Sequence, residues 1–423
     1  MSSRVVSITA AQRINRVAWL CALALLFEGY DIASIGYAVP SLVDAWRIQP
    51  SVFTQVLTAG NVGLMIGSLV AGWLADRLGR KPVLMGCIFL FGAFSLMSAF
   101  AGSPSGLSAM RFLTGLGLGG GLPTVLALAS DVAPRTRQER FVILVNVGVP
   151  IGFSTGGLLA TWLVRAFGWP AIFVVGGTLP LCLLPLLEIW LPESCTQFTP
   201  TRRRDQVAAL FRPDLATRTL LLWHINALSY LSVYFILLWM PAILHMSGTS
   251  SSRSILATTI YGFGVIASPV FAALVAERFG LKRILTWGLT FGASCALLIG
   301  ILQPGFWKLL LLLCGVGIGG GCQGGINSLS ALSYPPSIRS TGAGWALGVG
   351  RIGTIAGPLL GGLLLSLGVR TQYIFVAASV PVFGAAIVMA ALGELQPVEP
   401  TVSESNRYAD IGAKSEHRGR RGF

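Results

Sequence analysis

The sequence predicts an all-α membrane protein: twelve transmembrane helices in two pseudo-symmetric six-helix bundles. Three observations predict this fold. The first is composition, with 54% of 423 residues apolar and only 11% charged, against about 25% charged in ordinary soluble domains. The second is the recurrence of apolar blocks of about 20 residues, long enough to cross the roughly 30 Å hydrocarbon layer. A segment in that layer must satisfy its own backbone polar groups, which a helix does and an open strand does not. The third is an internal repeat at an offset near 200 residues. Gly115-Leu-Gly-Leu-Gly-Gly-Gly121 returns as Gly315-Val-Gly-Ile-Gly-Gly-Gly321, Pro150-Ile-Gly152 aligns with Arg351-Ile-Gly353, and Ala75-Asp-Arg-Leu-Gly79 aligns with Ala276-Glu-Arg-Phe-Gly280.

Taken in order, the first block (17–40) holds Glu28, Tyr30 and Asp31 amid almost nothing else charged. Three residues apart, the two carboxylates share a helix face about 5–6 Å apart. Each costs a few kcal/mol to hold in lipid as an ion, so such groups titrate or pair with something that moves. The second block (52–75) contains Asn61 and runs into a basic loop; the third (82–101) is wholly uncharged. The fourth (106–128) opens with Arg111 before its glycine run, the fifth (141–164) contains Asn146, and the sixth (169–191) closes the first half. A polar linker (192–216) follows. The seventh block (217–244) contains Asn226, Tyr230 and Tyr234, and the eighth (254–276) contains Tyr261 and ends at Glu277 and Arg278. The ninth (283–302) is apolar after its first residue; the tenth (306–332) contains Gln323 and Asn327, the eleventh (341–366) Arg351, and the twelfth (371–393) no charge. The expected domains are a tail (1–16), a bundle (17–191), the linker, a second bundle (217–393) and a disordered tail (394–423).

Charge and cysteine usage exclude other classes. A net charge of +14 could signal nucleic acid, but 23 of the 30 basic residues fall on the side of the two termini and five on the other. The positive-inside rule then puts both termini in the cytoplasm, and no nucleic-acid partner is expected. The seven cysteines have no CxxC or other metal spacing, so neither a disulfide framework nor a metal site is expected. No cleaved signal peptide is expected. Gly115-x-Gly117-x-x-Gly120 matches a dinucleotide-binding pattern, but that pattern needs a strand before it. Inside an apolar span, small residues at this spacing let helices approach closely, and no cofactor is implied. The residues supply no nucleophile–base–orienter set, so the chain is not expected to be an enzyme.

Gly72-Trp-Leu-Ala-Asp76-Arg77-Leu-Gly79-Arg80-Lys81 resembles the loop motif GxxxD(R/K)xGR(R/K) of the major facilitator superfamily. The resemblance implies alternating access by rocking of two halves, with this loop latching the cytoplasmic side. Asp76 would then face a helix N-terminus of the other half, Arg77 and Arg80 would pair around it, and Glu277 and Arg278 would be the second-half counterparts. Glu28-Gly-Tyr-Asp31, Pro40-Ser-Leu42, Arg111-Phe-Leu-Thr-Gly115, Tyr334-Pro335, Arg339-Ser-Thr-Gly342, Trp345 and Gly350-Arg351-Ile-Gly353 resemble the aromatic acid:proton symporters of that superfamily. Glu28 stands where those proteins usually have Asp, and Leu122-Pro123-Thr124 where they often have Pro-Asn. The implied activity is proton-coupled import of a benzoate- or hydroxybenzoate-like anion across the bacterial inner membrane by a monomer. An exporter, a carrier of another organic anion and a substrate sensor are the alternatives; Gly353-x-x-x-Gly357-Pro358-x-x-Gly361-Gly362 looks like an antiporter motif but lies in the eleventh span.

Rise along a helix ranks the site residues by depth. Entering near Val17, Glu28 lies roughly 16 Å and Asp31 roughly 21 Å deep, while Arg111 lies roughly 8 Å from the opposite face and so shares the level of Asp31. Arg351, roughly 15 Å deep, is level with Glu28. Asp31 and Glu28 are the expected proton-coupling groups: burial disfavours the charge and a neighbouring guanidinium favours it. Arg351, whose planar fork suits a carboxylate, and Arg111 are the expected anion-binding groups. Tyr30, Asn61, Asn146, Asn226, Tyr230, Tyr234, Gln323 and Asn327 are expected to line the substrate path.

Overall fold

The computed structural model describes residues 2–132, 145–191, 207–335 and 338–393. Most of the linker (192–206), the tail from 394, Arg135, Arg137 and Arg140, and the side chains of Asp76 and Glu277 lie outside the described residues. Twelve long helices are present among the described residues: α1 (Ser2–Trp46), α2 (Thr54–Leu78), α3 (Arg80–Ser98), α4 (Pro104–Val132), α5 (Gly148–Phe167), α6 (Pro170–Trp190), α7 (Ala216–Met246), α8 (Ser251–Phe279), α9 (Leu281–Leu302), α10 (Phe306–Leu332), α11 (Arg339–Ser366) and α12 (Thr371–Ala391). Eleven are long and apolar enough to cross a membrane. The exception is α5, where Ser154, Gly156 and Gly157 are buried in its contacts with α1 and α8, while Leu158 and Trp162 are exposed on its other face. The first helix begins at Ser2, so the residues expected as a tail extend α1. Ala209, Leu210 and Leu215, at the end of the expected linker, are buried in the core of the second half.

The internal repeat is visible in the backbone. Gly79 and Gly280 occupy equivalent turns, between α2 and α3 and between α8 and α9, with φ of 93° and 80°. L-residues with a side chain rarely adopt that region. Each amide donates back to the alanine four residues earlier, Gly79 to Ala75 O at 3.1 Å and Gly280 to Ala276 O at 2.9 Å. The glycine runs repeat as contacts too. In the first run a Cβ on Gly115 would strike Gly60 of α2 and one on Gly117 Phe91 and Cys87 of α3, and in the second run one on Gly317 would strike Tyr261 of α8 and one on Gly315 Cys295 of α9. Close helix approach, not a nucleotide loop, accounts for both runs.

Among the described residues, the two halves are joined at one end only. One apolar core contains residues of both halves, among them Tyr37, Leu42, Phe53, Leu237, Trp239 and Tyr261. At the other end the core divides, into Leu84, Leu128 and Leu187 in the first half and Leu285, Leu329 and Met389 in the second. At the joined end Gly36 of α1 lies against the Leu237 and Leu238 backbone of α7, and Gly157 of α5 against Thr259 of α8. His245 Nε2 meets Asp44 Oδ1 at 3.1 Å, and Arg165 Nε donates to Ser252 Oγ at 2.7 Å. At the divided end, Cβ atoms on Gly72 of α2 and on Gly344 and Gly348 of α11 would meet nothing within 4 Å. The divided end is the basic one, bearing Arg77, Arg80 and Lys81.

Candidate functional site

The centre of the molecule is built on α1 and α4. Asp31 is fully buried and Arg111 is 3% exposed, so each charge depends on the other. The pairing is two-pronged: Arg111 Nη2 donates to Asp31 Oδ2 at 2.8 Å and Nη1 to Oδ1 at 3.4 Å, with Nη2 also on the Asp31 carbonyl at 3.1 Å. Ser95 of α3 donates its hydroxyl to Asp31 Oδ1. The guanidinium carbon lies 5.7 Å from the Phe173 ring centroid, a cation–π distance. Gly176 of α6 leaves room for the carboxyl; a Cβ there would sit 3.2 Å from both Asp31 Oδ1 and Ser95 Oγ. Arg111 Nε is buried without a partner among the described residues.

Sequence reasoning paired Asp31 with Arg111 by depth, and the distances agree. It missed Ser95, Phe173 and Gly176, which come from helices whose sequences contain no charge near them. It also missed the reason for Gly29 in Glu28-Gly-Tyr-Asp31. A Cβ at Gly29 would run into the Val149 backbone carbonyl of α5, so only glycine lets α1 cross there.

Glu28 is 4% exposed and makes no ion pair among the described residues. Its carboxyl sits against Gly121 of α4, where a Cβ would collide with Oε2, and against the Leu122 amide. Arg351 of α11 is a cation whose charge acts on it. Arg351 is half-buried, lies beside the Tyr234 hydroxyl, and likewise has no ion-pair partner among the described residues. The α1 acids therefore divide: one is neutralised inside its own half, the other faces a cation of the opposite half.

A small cavity of about 20 Å³ lies between the halves, lined by Ile32, Asn61 and Arg111 on one side and Tyr234 and Leu238 on the other. Asn61 is buried and donates to Leu57 O of its own helix at 2.9 Å. Tyr230 and Tyr234 form a tilted ring pair with centroids 6.3 Å apart. Asn226, Gln323 and Asn327 form one amide network with Tyr230. Tyr30 is elsewhere: its hydroxyl donates to Ile172 O at 2.8 Å inside the first half, which makes it a packing residue. Asn146 is exposed just before α5 and joins none of these groups. Around the basic loop, Arg77 stacks on Trp73 at 3.9 Å, Arg80 donates to Ala127 O at 2.8 Å, and Lys81 donates to Glu188 O at 2.7 Å. These three contacts stay within the first half, as they must where the halves are apart. No group of His, Cys, Asp and Glu able to hold a metal occurs among the described residues.

The Major Facilitator Superfamily model matches residues 21–250 and 222–418. The chain is 35% identical to a 3-(3-hydroxy-phenyl)propionate transporter of Escherichia coli (strain K12), covering 94% of this chain and 99% of that one. It is 33% identical to a gallate transporter of Pseudomonas putida, over 88% of this chain and 90% of that one. A 4-hydroxybenzoate transporter of the same species is 32% identical over 86% and 89%. Among solved structures, a D-xylose-proton symporter superposes with a TM-score of 0.74 at 18% identity, covering 91% of this chain and 99% of that one; at that identity the likeness concerns the fold.

Proposed function

The chain belongs to the Major Facilitator Superfamily, and we propose that it is a proton-coupled secondary transporter importing an aromatic carboxylate of the benzoate or hydroxybenzoate type. It works by alternating access, as a monomer in the bacterial inner membrane with both termini cytoplasmic. The substrate class is supported by relatives named for gallate, 4-hydroxybenzoate and hydroxyphenylpropionate. The orientation is supported by the basic residues at the divided end, which the positive-inside rule places in the cytoplasm. On that assignment the structure is inward-facing, and the outward-facing state requires α1 to part from α7 at Gly36 and α5 from α8 at Gly157.

The observation that carries the reading is the buried Asp31–Arg111 pair, whose arginine lines a cavity between the halves, with Arg351 of the second half, which has no ion-pair partner among the described residues, beside Tyr234 of the same cavity. While Asp31 is ionised, Arg111 is neutralised within the first half. Protonation of Asp31 releases that guanidinium, leaving a positive charge at the cavity that an entering carboxylate can take over. Arg351 offers the anion a second cation from the other half, so one ligand touches both moving bodies. Two acids and two bases sum to zero, and one proton entering with one monoanion preserves that sum. This matters because an uncompensated charge is costly inside the bilayer.

Uptake into proteoliposomes tests the proposal. Labelled hydroxybenzoate is expected to accumulate under an inward proton gradient and to leak back to equilibrium with a protonophore. Accumulation by Asp31→Asn equal to wild type would remove Asp31 from the proton pathway.

A further inference from the structure

One buried acceptor in the second half is left unused, and its orientation follows from its neighbours. Asn226 Nδ2 donates to Leu222 O at 2.9 Å and to Ser330 Oγ at 3.0 Å. A backbone carbonyl only accepts, so the Asn226 nitrogen is fixed there and its Oδ1 faces Gln323. Gln323 Nε2 must then donate, and it does so to Asn226 Oδ1 at 3.2 Å and to Asn327 Oδ1 at 3.0 Å. Both of its N–H bonds are spent. Asn327 Nδ2 continues the chain to the Tyr230 hydroxyl at 3.4 Å. What remains is Gln323 Oε1, buried and without a partner among the described residues. A buried carbonyl in that condition costs free energy until a donor arrives.

The acceptor is linked to the cavity wall through the amide chain and the Tyr230–Tyr234 ring pair. Tyr230, at the end of the amide chain, packs on Gly350, where a Cβ would be 2.7 Å from its ring. The next residue is Arg351, and the Tyr230 ring pairs with Tyr234, which lines the cavity. Arg351 supplies donors for a carboxylate, whereas Gln323 Oε1 needs a donor from the ligand. An aromatic acid provides both ends only if its ring bears a hydrogen-bond donor, and a hydroxyl is the donor carried by the acids for which the relatives are named.

We infer that Gln323 Oε1 accepts a hydrogen bond from a ring hydroxyl of the substrate, so that the protein selects hydroxylated aromatic acids over unsubstituted ones. The inference rests on the transport reading above and adds a chemical requirement to it. A site built to bond a hydroxyl rejects an analogue lacking one, because its own polar group is then left unpaired.

The test is competition against labelled benzoate uptake in proteoliposomes, using 2-, 3- and 4-hydroxybenzoate and the matching fluorobenzoates. Fluorine has a similar size but cannot donate. In wild type at least one hydroxy compound is expected to compete about tenfold or more better than its fluoro partner, the scale of one buried hydrogen bond. In Gln323→Met that ratio, read against the variant's own benzoate uptake, is expected to fall near one. Gln323→Asn, which keeps an amide but withdraws the acceptor by a methylene, is expected to lower the ratio too and serves if the Met protein does not fold. Benzoate uptake with every wild-type pair equal overturns this inference alone, as does a ratio that survives in a folded variant. A wild type that carries no aromatic carboxylate overturns the transport reading and this inference with it.

Discussion

The two intramembrane acid–base sets differ in where their partners come from. Asp31 and Arg111 both belong to the first half and meet at 2.8 Å, fully desolvated. Glu28 and Arg351 belong to different halves, and neither has an ion-pair partner among the described residues. The first set is indifferent to rocking of the halves, since both members move together. The second set must change whenever the halves move. A pair inside one body suits proton exchange, and a pair across two bodies suits reporting that a ligand has joined them.

The contrast predicts effects of descending size. Arg111→Ala leaves Asp31 buried and uncompensated and is expected to destabilise the protein by about 3–5 kcal/mol, measured as thermal unfolding in detergent. Asp31→Asn with Arg111→Gln is expected to recover much of that stability without recovering proton-driven accumulation. A double variant as unstable as Arg111→Ala would show that the pair is more than mutual charge compensation. Arg351→Ala removes no ion pair and is expected to leave unfolding almost unchanged while weakening substrate binding about 30-fold, the scale of roughly 2 kcal/mol for a lost buried charge contact. Unchanged affinity would remove Arg351 from the site.

The two ends of the molecule extend the comparison from charge to packing. Gly36→Ala brings a Cβ to 3.0 Å from the Leu237 carbonyl across the joined end, and a cost of about 1–3 kcal/mol is expected from overpacking. Gly348→Ala meets nothing within 4 Å at the divided end and is expected to gain about 0.5–1 kcal/mol of helix stability. Equal effects at the two positions would contradict closure at one end only. The smallest effect is expected at His245 and Asp44, where Asp44→Asn should cost about 0.2–1 kcal/mol as a partly exposed pair; a double-mutant cycle with His245 measures it.

Much of the fold was legible in the sequence because membrane insertion imposes one-dimensional rules: block length, charge asymmetry and backbone self-satisfaction. The repeat told which segments are equivalent, and Gly79 and Gly280 bear that out as matching turns. The α5 helix was legible as an apolar block; its buried Gly152, Gly156 and Gly157 serve its contacts with α1 and α8. The site was legible where an unusual residue stands in an apolar run. Arg111 and Asp31 were matched by counting rise along two helices. The eight weaker candidates divided in space, with Tyr30 tied to Ile172 and Asn146 exposed. No one-dimensional rule separates a tyrosine facing a cavity from one facing a neighbouring helix, since a helix places both kinds at the same spacing.

The sequence alone determined that the chain crosses a membrane as helices, that it has two related halves, and that four charged side chains lie within the spans away from their ends. Composition and periodicity set these because each follows from the cost of exposing polar groups to lipid. Only the tertiary structure decided which charges meet, which amide oxygen is left without a donor, and which end of the halves is closed. Those outcomes depend on helix rotation and crossing, which glycines such as Gly29 and Gly36 permit at particular points and which no single segment specifies by itself.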